Sequence, residues 1–138
     1  MKKSMHRELV TLHDYTNEAN RYLQNAKETI KKSPVDYGRY QDPKYVSEAA
    51  GIGYLAALKA INGYLIVKKG YSKKELPTSI EAYRKEVKKI PHNGKLLNAL
   101  IDVYDILHIG AYYHELENTD VIKVGFKRVK EIIDLMGK

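Results

Sequence analysis

Apolar residues recur along this chain at helical spacing, and no stretch alternates apolar and polar in the manner of a strand. From about Met5 to Lys32, Leu9, Thr16, Leu23 and Ile30 interleave with Leu12, Ala19 and Ala26 at heptad spacing, which predicts a first helix carrying a seam for another helix. Pro34 stops that helix, and Ser33 to Gln41, with Tyr37, Gly38, Arg39 and Tyr40, reads as a loop. Asp42-Pro43 opens the second helix: the carboxylate accepts orphan backbone donors, and proline stands in the first turn, where its missing N–H is harmless. Gly70 closes it. Inside it Val46, Ala49, Gly53, Ala56, Ala60, Gly63 and Val67 make a second seam, mostly of small residues, which lets another backbone come close and places this helix at the centre. Each of its glycines weakens the helix by about 1 kcal/mol relative to alanine, so tertiary contacts must hold it.

Thr78-Ser79-Ile80-Glu81, after Pro77, fits a capping box and starts a short third helix whose Ile80, Tyr83, Val87 and Ile90 share a face and which Pro91 ends. A fourth helix is predicted from about Asn93 to Leu116. Asn118-Thr119-Asp120 caps a fifth, in which Ile122, Phe126, Val129, Ile133 and Met136 follow the helical period. The expected fold is all-α: one domain over residues 1–138, built as an antiparallel up-and-down bundle of four longer helices plus one short helix.

Composition changes this picture in three places. The chain has no Cys, so packing alone must hold it, which suits a reducing compartment; the expected location is the cytoplasm. No apolar run or small-residue cleavage site follows the charged start Met1-Lys2-Lys3, so no signal peptide is expected. Ala49 to Val67 is long enough to be tested as a membrane span, but it is diluted by glycine and alanine and holds Lys59 and Asn62. A buried central helix is the better account, and no membrane partner is expected.

Charge and aromatic usage are both uneven. The formal net charge is +7, and Lys68 to Lys95 holds nine basic residues, among them Arg84, Lys85, Lys88 and Lys89 on the short helix, against Glu75, Glu81 and Glu86. A solvated face is the ordinary fate of such residues; the functional alternative is a patch for nucleic acid or another acidic partner. There are 12 Tyr, one Phe and no Trp. Most of these rings are expected at the edge of the core with their hydroxyls in water, the alternative being a stacking or partner surface.

Candidate chemistry concentrates in Asp102 to Glu115, where ionisable groups interrupt an apolar helix. On a regular helix Ile101, Tyr104, Asp105, His108, Tyr112 and Glu115 fall on one side, while Leu96, Leu100, Val103, Leu107 and Ala111 centre on the next. Asp105 and His108, three apart, would meet, so the carboxylate could orient the imidazole as acid or base with Tyr104 or Tyr112 supplying a hydroxyl. The plainer account is a satisfied polar cluster at a helix or subunit junction. Asp105-x-x-His108 is the only pair of its kind, short of the set a di-iron bundle needs, so no metal is expected. No P-loop or dinucleotide fingerprint occurs, Gly51 and Gly53 read as packing glycines, and no cofactor is implied.

The run Ser47 to Leu65, with its Ala57-Leu58-Lys59-Ala60 core, resembles the second helix of HEPN-type bundles, bacterial and archaeal domains that are often dimeric and in many cases linked to nucleotides or RNA. The ribonucleases of that family place an Arg four to six residues before a His near the last helix. Here no Arg stands between Arg84 and Arg128, so neither His108 nor His114 has that partner; Asp102 precedes His108 at similar spacing but lacks the cation. Arg7 and His13 match the spacing on the first helix instead. The function expected is therefore that of a non-catalytic bacterial bundle acting through protein contacts. A homo-oligomer, and a dimer first, is the favoured assembly, held by apolar surface on the fifth helix or by the Tyr-bearing loop. The alternatives are a HEPN-like ribonuclease or nucleotide-binding domain and an RNA-binding module.

Overall fold

A computed structural model describes residues 10–138, and helices dominate them. They are α1 (Leu12–Ile30), α2 (Pro43–Lys69), α3 (Ile80–Lys88), α4 (Gly94–Val103, continued as a π-helix over Tyr104–Tyr113) and α5 (Thr119–Met136). Contacts between them run in opposite sequence directions. Gly63 of α2 meets Tyr15 of α1 while Lys59 lies 4.7 Å over the Tyr22 ring; Gly51 meets Tyr112 while Tyr54 meets Tyr104; Gly125 of α5 meets Leu107 while Arg128 bonds Asp102. The four longer helices thus form the antiparallel bundle, with α3 as the short fifth.

Caps set most boundaries. Asp42 Oδ1 accepts from the Lys44 N–H, Gly70 ends α2 at φ 73, and Asn118 Oδ1 accepts from the Val121 N–H, as the sequence predicts. Two starts differ. The Thr11 hydroxyl accepts from Asp14 N–H while the Asp14 carboxylate takes the Thr11 N–H, so Thr11 interrupts the predicted helix and α1 begins at Leu12; Met5 and Leu9 of the predicted helix lie outside the described residues. Ser79 rather than Thr78 caps α3, accepting from Ala82 N–H, and the reciprocal box forms one element earlier, between Ser72 and Glu75 around the short 3-10 turn Lys73–Glu75.

The segment read as a loop contains a hairpin, β1 (Val35–Asp36) and β2 (Arg39–Tyr40), with Val35 opposite Tyr40. Tyr37 and Gly38, both at positive φ (50° and 72°), form its turn, the backbone signature of a primed hairpin turn. Two-residue strands are too short to show a period, so alternation could not reveal them. The hairpin is tied on by the Tyr40 N–H to Glu117 C=O bond (2.9 Å) and the Thr119 N–H to Gly38 C=O bond (3.0 Å).

The predicted seams are the core. Thr16, Ala19, Leu23, Ala26 and Ile30 of α1 are buried, as are Val46, Ala49, Gly53, Ala56, Ala60 and Gly63 of α2, whereas Val67 is partly exposed. Helix α2 has the length and apolarity of a membrane span, but the small residues of its seam lie inside the bundle. Tyr83, Val87 and Ile90 fasten α3, and Ile122, Phe126, Val129, Ile133 and Met136 are the inner face of α5.

Glycines set the closest approaches. A Cβ on Gly63 would collide with the Cβ of Tyr15 and come within 2.6 Å of its ring; one on Gly53 would lie 2.9 Å from Phe126 Cε1 and 3.2 Å from Leu107 Cδ1. Gly51, also read as a packing glycine, has only ordinary space beneath Tyr112, at 3.7 Å. We therefore predict that Gly63→Ala lowers stability by about 1–3 kcal/mol despite alanine's higher helix propensity, since overpacking outweighs it. Gly94→Ala, whose Cβ would meet nothing within 4 Å, leaves stability unchanged or raises it by up to about 1 kcal/mol. Urea denaturation checks both, and a Gly63→Ala protein as stable as the parent would contradict the contact.

Candidate functional site

The chain from Tyr104 to Tyr113 departs from α-helical winding. His114 N–H bonds to the carbonyl of Ile109, five residues back, at 3.1 Å, sharing it with Gly110 at 3.1 Å. Glu115 then turns at φ 52 and Leu116 N–H reaches back to Gly110 C=O at 3.0 Å, so the helix ends at Tyr113, short of the predicted Leu116. Gly110 sits in the tight part of this winding: a Cβ there would lie 3.1 Å from Asp105 O and 3.2 Å from Leu116 Cδ2.

Underwinding re-sorts the side chains. Leu107 and Ala111 stay fully buried, with Leu107 wedged between Gly53 and Gly125, but residues three apart no longer face one another as on an α-helix. Asp105 accordingly points to solvent, and no ion pair joins it to His108 among the described residues. The expected acid–imidazole pair is thus not assembled, and Glu115, outside the helix, does not share its face. Residues four and five apart are brought together instead. His108 lies 5.2 Å from Tyr104, 6.0 Å and nearly parallel from Tyr112, and 5.2 Å edge-on from Tyr113, while Tyr54 of α2 stacks on it at 4.6 Å.

Of the predicted residues, Tyr104, His108 and Tyr112 therefore come together and Asp105 stands apart. Tyr54 and Tyr113 complete the cluster, and sequence reasoning did not single them out. The available signal was the spacing of aromatic positions 104, 108, 112 and 113, in steps of four and five. Tyr104 and His108 are half-buried, whereas Tyr112 and Tyr113 are 47% and 62% exposed. Leu55, 50% exposed, lies one turn beyond Gly51, over which the Tyr112 ring packs.

On the other side of Tyr54, a groove of about 460 Å³ is bounded by Tyr54 and Leu58 of α2, Pro77 to Glu81 and Tyr83 around the start of α3, and Tyr104 and His108 of the π segment. The Tyr83 hydroxyl donates to Asn62 Oδ1 at 2.8 Å. Burial pushes the Tyr54 hydroxyl up to about 12, helped by neighbouring Tyr104, Tyr83 and Glu81, and burial also raises Tyr83 and the hairpin's Tyr40.

The basic residues of α3 form a separate surface. Arg84, Lys85, Lys88 and Lys89 are exposed; among the described residues, Lys89 pairs with Glu86 at 3.5 Å and the other three make no ion pair. Arg128 is engaged elsewhere, donating to Asp102 at 3.0 Å and Glu131 at 2.7 Å, and the bond to Asp102 leads in raising its pKa.

An all-helical antiparallel bundle with an aromatic cluster on an underwound helix is the class of protein these features define. The chain belongs to the family described as a domain of unknown function, DUF5618, which it matches over residues 14–138. It is similar to a solved structure described as a protein of unknown function from Dyadobacter fermentans, at 30% identity and a TM-score of 0.82, covering 93% of this chain and 98% of that one. No curated protein matches it.

The tyrosine environment gives a pH prediction. Above about pH 10 the unfolded chain releases its tyrosine protons, whereas the folded chain holds that of Tyr54 to about 12. The unfolded state then binds fewer protons, so the contribution is fully present below pH 10 and is lost between about 10 and 12. Denaturant midpoints should fall across that window, and less steeply in Tyr54→Phe; equal slopes in parent and variant would refute the assignment.

Proposed function

We propose that this protein is a non-catalytic bundle of the bacterial cytoplasm that works by protein contact, pairing with a second copy through the aromatic face around Tyr112 and Tyr113. The observation that carries this is the composition of the face: two exposed tyrosines pack on a half-buried His108 whose ring neighbours are all tyrosines, with exposed Leu55 one turn along α2 from Gly51. Exposed aromatic rings seated on a rigid element are favoured anchors of protein interfaces. No carboxylate or guanidinium forms an ion pair with His108 among the described residues. Val121 and Val124 of α5 and the hairpin tip, where Tyr37 is 96% exposed, are further apolar surface that a partner could extend over. Light scattering should show a dimer for the parent and a monomer for the Tyr112→Ser, Tyr113→Ser double variant, with the helical circular dichroism retained. A parent that stays monomeric at high concentration, or a double variant that stays dimeric, removes the reading.

RNA binding through α3 is a second reading, supported by the exposed side chains of Arg84, Lys85 and Lys88, which make no ion pair among the described residues. It predicts affinity for RNA that falls steeply with salt and is lost when Arg84, Lys88 and Lys89 are all changed to Glu. No binding by the parent, or unchanged binding by the triple variant, ends it. The HEPN-like nuclease or nucleotide-binding reading rests on the Ser47–Leu65 helix and the bundle topology. Against it, Arg128 is tied to Asp102 and Glu131; Arg7 of the Arg7–His13 pair lies outside the described residues and does not bear on it.

A further inference from the structure

We propose that the groove between α2, the start of α3 and the π segment binds a small molecule bearing an alkylated ammonium group, with tyrosine rings as its surface and Glu81 as its counter-charge. This goes beyond the partner contact proposed above, which uses the exposed Tyr112 and Tyr113; His108 borders both.

Charge distinguishes this groove. Four other surface grooves of comparable volume each include a cation in their lining: Lys59 and Lys73, Lys73 alone, Lys95 with Arg128, and Arg21. This one has no Lys or Arg although the chain carries a net charge of +7; its one lining group that is charged at neutral pH, apart from any protonation of His108, is the carboxylate of Glu81. An anion is disfavoured for the same reason, since Glu81 occupies the first turn of α3, where the helix end would otherwise attract it.

The remaining chemistry selects among cations. Tyr54, Tyr83 and Tyr104 supply aromatic rings, whose faces attract positive charge, and Leu58, Pro77 and Ile80 supply apolar contact for methyl groups. A primary ammonium or a guanidinium directs N–H groups at acceptors or water, whereas an alkylated ammonium turns methyl groups toward rings and apolar side chains. The Ser79 hydroxyl accepts from Ala82 N–H and the Tyr83 hydroxyl donates to Asn62 Oδ1, so Glu81 is the charged acceptor of a lining that otherwise offers rings and apolar side chains. Of the titratable neighbours of Tyr54, Glu81 is ionised at neutral pH and favours a positive charge in the same place.

Choline and its uncharged isostere 3,3-dimethylbutan-1-ol test this on the full chain, with binding followed by calorimetry and by amide shifts of Tyr54, Tyr104 and His108. Choline is expected to saturate the site and to bind at least about tenfold more tightly than the isostere, the scale of a partly desolvated cation–π contact. Glu81→Gln, an exposed change that leaves the core intact, should weaken choline about tenfold without altering the isostere, and Tyr104→Leu should weaken it by a similar factor. Equal binding of the two compounds, no saturable choline binding, or a Glu81→Gln protein that binds choline like the parent would overturn the proposal.

Discussion

The arrangement depends on how closely two glycines let their helices approach Leu107. Gly53 of α2 and Gly125 of α5 each leave the space of a missing Cβ; Leu107 fills the one at Gly125 with Ile106 and shares the one at Gly53 with the Phe126 ring. That wedge fixes the π segment between the two helices, with Leu107 fully buried. Because interiors are packed at the density of organic crystals, its neighbours have little room to shift. Tyr104 and His108, on the same segment, pack half-buried against Tyr54 of α2. The core contact and the aromatic cluster are consequences of the same placement.

Much of the fold was legible because its signals are local or periodic. The α2 seam, the Asp42 and Asn118 caps, the Gly70 stop and the inner face of α5 all follow from single residues or from a period that survives in the structure. What was not legible depends on contacts distant in sequence. The hairpin is stabilised partly by backbone bonds to Glu117 and Thr119, some 80 residues away, and neither partner has a pattern of its own. The capping-box spacing occurs at both Ser72 and Thr78, so spacing alone could not locate the reciprocal pair.

The candidate site shows the same limit more sharply. Reading Asp102 to Glu115 as an α-helix brings Asp105 to His108 and suggests acid–base chemistry; the underwound backbone separates them and gathers aromatic rings instead. Tyr104, His108 and Tyr112 were found because four-residue steps place neighbours together in either winding. Asp105 was misplaced because a three-residue step does so only in the α form. Tyr54 belongs to another helix, and no spacing rule could have connected it to position 108.

The π winding also bears on how this chain tolerates changes of length. A π segment accommodates more residues per turn than the α form, so removing one position between Val103 and Leu116 would let ordinary α winding resume with little loss of backbone hydrogen bonding. The rest of that helix beyond the cut would then be rotated about its axis, carrying Tyr112 and Tyr113 off their seats beside Gly51 and His108. A family member shortened by one residue here would keep the bundle while presenting a different surface to its surroundings.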